Sequence, residues 1–203
     1  MDFDTWLKAV LALVAILNPV GNMPIFDELT EGIDRKSRFK IYNIAVATGF
    51  GTLLVLMLFG RFIMSRIFQI DIAEFRIAGG LLLTVLAVKY IVFPDKRRRV
   101  RDDHEVDSLF RLAVVPMAVP LMVGPGSIVT AILILDRDGY LVSLASIVTV
   151  FAFSWVVLQL SPWLNKAMGR IGRLVISRIL WIFLAAIGVH FLVSGIKEAF
   201  GLG

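Results

Sequence analysis

Asn18-Pro19-Val20-Gly21-Asn22-Met23-Pro24 interrupts an apolar run otherwise fit to cross a membrane. Pro120-Leu121-Met122-Val123-Gly124-Pro125-Gly126-Ser127 does the same in the second half of the chain. A helix in lipid satisfies its own amides, so Pro and Gly that unwind it leave carbonyls and N–H groups in need of other partners. Such breaks are tolerated at depth only where they are buried in protein or line a cavity. Single Pro or Gly residues in membrane helices often serve only to kink them or to allow close packing. A matched pair of breaks, each carrying polar residues, points instead to the binding site of a secondary transporter.

The rest of the composition agrees with a membrane protein. Of 203 residues 58% are hydrophobic, and the mean hydropathy is +0.85, too apolar for a soluble domain. Cysteine is absent, which excludes disulfides, thiolate catalysis and Cys-ligated metal sites. The formal charge of +5 does not indicate nucleic acid, because the basic residues lie between apolar runs rather than along one face. The acidic start Met1-Asp2-Phe3-Asp4 is unlike a secretory leader, so the first apolar segment reads as a retained span.

Four runs reach the length of a transmembrane helix: 41–59, 77–93, 140–160 and 179–196. Two more become long enough only across the breaks, 5–17 with 20–29 and 109–123 with 127–135. The fold class expected is therefore all-α and polytopic, with six transmembrane helices of which the first and fourth are discontinuous. Residues 1–95 form one three-helix half, 96–108 a charged linker and 109–203 the second half. Lys and Arg concentrate on one set of loops: Arg35, Lys36, Arg38 and Lys40; Lys96 to Arg99, Arg101 and Arg111; Lys166, Arg170, Arg173 and Arg178. They outnumber Lys8, Arg61, Arg66, Arg76, Arg137 and Lys197 on the other side, which puts both termini outside the cell membrane. Three spans per half make the halves an inverted repeat. Val20-Gly21 matches Val123-Gly124 and Arg76-Ile77 matches Arg178-Ile179, with 55 positions between Gly21 and Arg76 and 54 between Gly124 and Arg178.

Each break presents the carbonyl end of one half-helix and the N–H end of another, a pairing suited to a small zwitterion. The candidate substrate-binding residues are Asn18, Pro19, Gly21 and Asn22 in the first break, with Gly124, Gly126 and Ser127 in the second. Pro116 reads as a simple kink. No Asp or Glu falls centrally in a span. His190, with Ser194 one turn on, is a second-tier candidate, able to take up a proton or simply to bond across the bundle. No catalytic or metal site and no cofactor is expected; a coupling proton or sodium ion is compatible with the pattern. The classes in competition are a carrier, a channel or exporter for another small solute or ion, a scaffold and an intramembrane enzyme. The last lacks both a His-Glu-x-x-His motif and an acidic partner for His190.

Residues 17–24 and 119–128, together with Phe75-Arg76-Ile77-Ala78-Gly79-Gly80 and the stretch 178–195, resemble the helix signatures of the MarC family along essentially the whole chain. That family includes SnatA-type transporters of small neutral amino acids such as glycine and alanine. The resemblance implies six helices in two inverted repeats and substrate held at the breaks of helices 1 and 4. It also implies coupling to a proton gradient. Many members carry Gln at the position of His190.

Overall fold

The computed structural model describes residues 2–93 and 105–201, without the side chains of residues 61, 105–108, 162–170, 173 and 174. Most of the stretch read as the linker, with Lys96 to Arg99 and Arg101, lies outside the described residues. Its last part does not: helix already begins at Glu105.

All regular structure among the described residues is helical: α1 (Phe3–Leu17), α2 (Pro19–Leu29), α3 (Arg35–Phe62), α4 (Ile72–Val92), α5 (Glu105–Leu112) and α6 (Pro125–Ala199). A π-helical turn, Ile63–Phe68, ends α3, and a kinked π-helical stretch, Ala113–Met122, follows α5. Local chemistry sets the starts. Asp34 Oδ1 accepts the amides of Lys36 at 2.9 Å and Ser37 at 3.0 Å, capping α3. Glu74 reaches back to the Asp71 amide at 2.8 Å before α4. Five helical stretches are long and apolar enough to cross a membrane: Phe3–Leu29, Arg35–Gly60, Ile72–Val92, Pro125–Ser161 and Val175–Ala199. A sixth, Leu109–Met122, is apolar but shorter.

Although α6 is continuous in sequence, it is not one rod. At 1.5 Å per residue the stretch Pro125–Ser161 would be about 55 Å long, against about 30 Å of hydrocarbon. Gly139 takes φ +81°, a left-handed conformation that glycine adopts without strain, at the end of the polar run Asp136-Arg137-Asp138. The Ser143 hydroxyl lies 3.5 Å from the Ala131 carbonyl, twelve residues back, where a straight helix would hold them about 18 Å apart. The chain therefore doubles back at Gly139.

Two pairings build the interior. Residues 140–161 run antiparallel to α3: Asn43 meets Trp155, Phe50 stands edge-on to Phe151 at 5.7 Å, and Met57 Sδ receives the Ser143 hydroxyl. Val175–Ala199 runs antiparallel to α4, with Arg76 bonded to Glu198 at one end and Arg178 donating to the Tyr90 carbonyl, 2.6 Å, at the other. Between these ends α4 and α6 touch through backbone. A Cβ on Gly80 would lie 2.5 Å from the Gly188 carbonyl, and one on Gly188 would lie 2.8 Å from the Gly80 carbonyl. Small residues that admit such approach are how helices associate without a hydrophobic drive between them. The buried core includes Leu13, Phe26, Tyr42, Leu53, Met117, Ile147 and Trp181, while Phe59, Leu81, Leu82, Val85 and Phe183 face outward. An apolar perimeter of this kind is the surface of a protein solvated by lipid.

Candidate functional site

At the first break the main chain leaves the helix at a single residue. Asn18 has φ 44°, ψ 58°, the left-handed region that Asn tolerates better than most side chains, and Pro19 opens α2. In an unbroken helix the Leu17 carbonyl would receive the Gly21 amide. Here the Gly21 amide goes to Asn18 Oδ1 at 3.1 Å, and the Leu17 carbonyl accepts Asn22 Nδ2 at 2.8 Å. Two side-chain amides thus stand in for one turn of backbone bonding.

The second break is longer. Val115 (φ −130°, ψ 120°) and Val119 (φ −129°, ψ 124°) are extended, as residues before proline prefer, and Pro116 and Pro120 follow through cis peptide bonds. Pro116 thus kinks the helical stretch Ala113–Met122, as its sequence context led one to expect. The helical half that was expected to run to 123 ends at Met122, interrupted at Val115 and Val119. Val123 (φ −111°, ψ 92°) and Gly124 (φ −109°, ψ 179°) are again extended, after which Pro125 starts α6. The Ser127 hydroxyl donates to the Gly124 carbonyl at 2.9 Å and accepts the Gly124 amide at 3.1 Å, capping that start. The amides of Gly126 and Ser127 fall in the first turn of α6, where a helix offers them no acceptor of its own.

The breaks meet through Asn22. Its side chain, 6% exposed, donates from Nδ2 to the Leu17 carbonyl and also to the Leu121 carbonyl, 3.1 Å away in the other break. One amide group therefore satisfies two carbonyls that the breaks leave without helical partners. Beside it lies a cavity of about 10 Å³ lined by Leu17, Pro19, Asn22, Phe26, Met122, Ser154 and Leu158. That is room for about one water molecule, so the two breaks are closed upon each other. The end of the second break is packed against three helices: a Cβ on Gly79 of α4 would collide with Pro125, and one on Gly126 would collide with Phe191 of α6 and lie 3.1 Å from Ile16 of α1.

Of the sequence candidates, the structure brings Pro19, Gly21, Asn22, Gly124, Gly126 and Ser127 to these two turns. It separates Asn18 from Asn22: Asn18 is exposed and its oxygen is spent on Gly21, whereas Asn22 points inward. His190 is exposed, its ring centroid 6.2 Å from that of Phe191, and it is Phe191 that faces Gly126. Ser194 is half-buried. Sequence reasoning did not pick out the lining residues Phe26, Met122 and Leu158, which are ordinary apolar residues, or Ser154, whose hydroxyl bonds back to the Val150 carbonyl at 2.7 Å.

A second polar cluster closes the far end of α2. Asp27, 3% exposed, accepts the Tyr42 hydroxyl at 2.8 Å, with Arg38 Nη1 4.0 Å from the same oxygen. The next residue turns the other way. Glu28 accepts the Ser177 hydroxyl and, at 2.8 Å, the Trp181 indole N–H, with Arg178 Nη2 at 4.0 Å. Trp181 stacks on Tyr90 at 4.5 Å with the rings 6° from parallel. Two adjacent carboxylates thus tie the end of α2 to α3 on one side and to α6 on the other.

Known proteins share the sequence over its whole length. A model described as MarC family integral membrane protein matches residues 3–200. The chain is 33% identical over 206 residues to the UPF0056 membrane protein YhcE of Escherichia coli (strain K12), covering 98% of this chain and 95% of that protein. It is 35% identical over 210 residues to a UPF0056 membrane protein of Archaeoglobus fulgidus (98% and 97%), and 30% identical over 198 residues to one of Pyrococcus abyssi (98% and 97%). No solved structure is significantly similar. With a family model spanning nearly its whole length and relatives matched end to end, the chain belongs to the MarC family of integral membrane proteins.

Proposed function

We propose that this protein is an alternating-access secondary transporter of small neutral amino acids of the glycine and alanine class, with substrate held between the two breaks. The observation that carries the reading is the pair of hydrogen bonds that Asn22 Nδ2 donates to the carbonyls of Leu17 and Leu121. A substrate ammonium offers the same donors as that amide and can replace it on both carbonyls. The substrate carboxylate then faces the amides of Gly126 and Ser127 at the positive end of α6. Backbone on both sides leaves little width, so a hydrogen or methyl side chain is accepted and a branched one is refused.

The cavity of about 10 Å³ makes the described arrangement a closed one. Opening toward the Lys- and Arg-rich side requires the end of α2 to leave Tyr42 and Arg38 on one flank and Ser177 and Trp181 on the other; the Asp27 and Glu28 contacts are the latch. On this reading helices 1 and 4 are discontinuous in the membrane, residues 1–95 and 109–203 are inverted halves joined by the charged linker, and both termini lie outside a cell membrane. A proton or sodium gradient drives the cycle.

Uptake of radiolabelled glycine into proteoliposomes, with proton and sodium gradients imposed separately, tests the proposal. Concentrative uptake under one gradient, and exchange against internal unlabelled alanine, are the expected results. Ion conductance without exchange would instead identify a channel.

A further inference from the structure

A second concavity lies on the perimeter, away from the breaks. It is a groove of about 580 Å³ between α3 and residues 148–155 of α6, walled by Val46, Ala47, Phe50, Val148 and Phe151. That volume is in the range of ligand sites. Its walls are apolar, and Ala47, Val148 and Trp155 along it are exposed, so it opens toward lipid rather than into the bundle. One end is polar: Asn43 Oδ1 accepts both the Trp155 indole N–H at 2.8 Å and Gln159 Nε2 at 3.2 Å. Beyond that end, on the same face of α3, stand the exposed residues Lys36 and Lys40, one to two turns before Asn43 and in line with Ala47 and Phe50 by helical spacing. Of the two acidic residues in the loop before α3, Glu31 and Asp34, the second has Oδ1 committed to the amides of Lys36 and Ser37.

We infer that this groove is a binding site for an anionic phospholipid of the surrounding bilayer, one acyl chain lying along Val46, Ala47 and Phe50 and the phosphate against Lys36 and Lys40. The order of chemistry along the face, alkyl wall, hydrogen-bonding amides with an indole, then ammonium groups, follows that of a phospholipid from chain to headgroup. A second copy of the chain is the weaker occupant. A two-fold axis along the membrane normal would bring Lys36 and Lys40 of both copies to the same height and set like charges together. The face also lies on the side where Lys and Arg predominate, the leaflet that carries anionic lipid.

Native mass spectrometry of the full chain in detergent, with phosphatidylglycerol and phosphatidylcholine supplied in equal amounts, tests this. Each lysine near a charged membrane surface contributes several-fold, so the wild type should retain phosphatidylglycerol with a preference of roughly thirtyfold. Lys36→Gln with Lys40→Gln, both exposed and remote from the core, should bring the two lipids near parity. Ala47→Phe, which fills the groove, should remove the bound lipid altogether. Lys197→Gln, a basic residue outside this face, should leave the preference unchanged. The inference is overturned if the preference survives the double lysine variant, or if Lys197→Gln lowers it equally. It is also overturned if Ala47→Phe retains the lipid or changes the oligomeric mass irrespective of lipid.

Discussion

Replacing Asn22 with alanine removes one amide group and strands two carbonyls at once, those of Leu17 and Leu121. In a water-soluble protein each buried carbonyl left unpaired costs about 1–3 kcal/mol. Hydrogen bonds between membrane helices are measured lower, about 0.6 kcal/mol on average and about 1.7 at most. One of the two contacts here is local and one joins the breaks, so the expected loss is about 1–3 kcal/mol in total. At ~2–4 °C per kcal/mol for a chain of this size, that is a drop of several degrees in the melting temperature of the detergent-solubilised protein. The distinctive result comes on adding glycine. Its ammonium fills the vacated positions without having to displace an amide, so glycine should raise the melting temperature of Asn22→Ala by more than it raises that of the wild type. A purely structural Asn22 gives destabilisation without this rescue. Unchanged stability, or a glycine shift no larger than in the wild type, would refute the reasoning.

Other perturbations follow from the same geometry. Gly80→Ala drives a methyl group onto the Gly188 carbonyl, where backbone cannot yield, and should cost about 1–3 kcal/mol or more in unfolding measurements. Gly51→Ala, with nothing within 4 Å, should be neutral or stabilising by up to about 1 kcal/mol. Glu28→Gln weakens the α2 latch at its bonds to Ser177 and Trp181. Because the chain has no native cysteine, a single Ser154→Cys reports opening on its own, and its labelling by a membrane-impermeant thiol reagent from the Lys- and Arg-rich side should rise about tenfold. Gly124→Val places a branched side chain where a Cβ already lies 3.0 Å from the Pro120 carbonyl; glycine binding should vanish in isothermal titration while the protein still purifies as a folded species.

Much of this architecture is legible in residue order because lipid punishes irregular backbone so heavily. The runs 41–59, 140–160 and 179–196 fall within α3 and α6, 77–93 passes the end of α4 by one residue, and the break at Asn18-Pro19 falls where α1 ends. Asp136-Arg137-Asp138-Gly139 marks the reversal inside α6. The interruptions at Val115 and Val119 are readable from Val115-Pro116 and Val119-Pro120, since the residue before proline avoids helix. The orientation of Asn18 and Asn22 was not readable. Four apart on a regular helix they would share a face, but the left-handed turn at Asn18 rotates α2 and sends them different ways. The position of His190 was hidden only from reasoning by depth: Trp181, Leu184, Gly188 and Gly195 mark the buried stripe, and His190 lies opposite it by helical periodicity. The contacts of Asp27 and Glu28 depend on partners up to 153 positions away, which no local pattern encodes.

The central claim is that the two breaks together hold a small zwitterion, and equilibrium dialysis of glycine, alanine and leucine against the purified protein tests it most directly. Saturable binding of glycine and alanine at one shared site, with leucine excluded, is the predicted result. Failure of glycine to bind, or leucine binding as well as glycine, would contradict it.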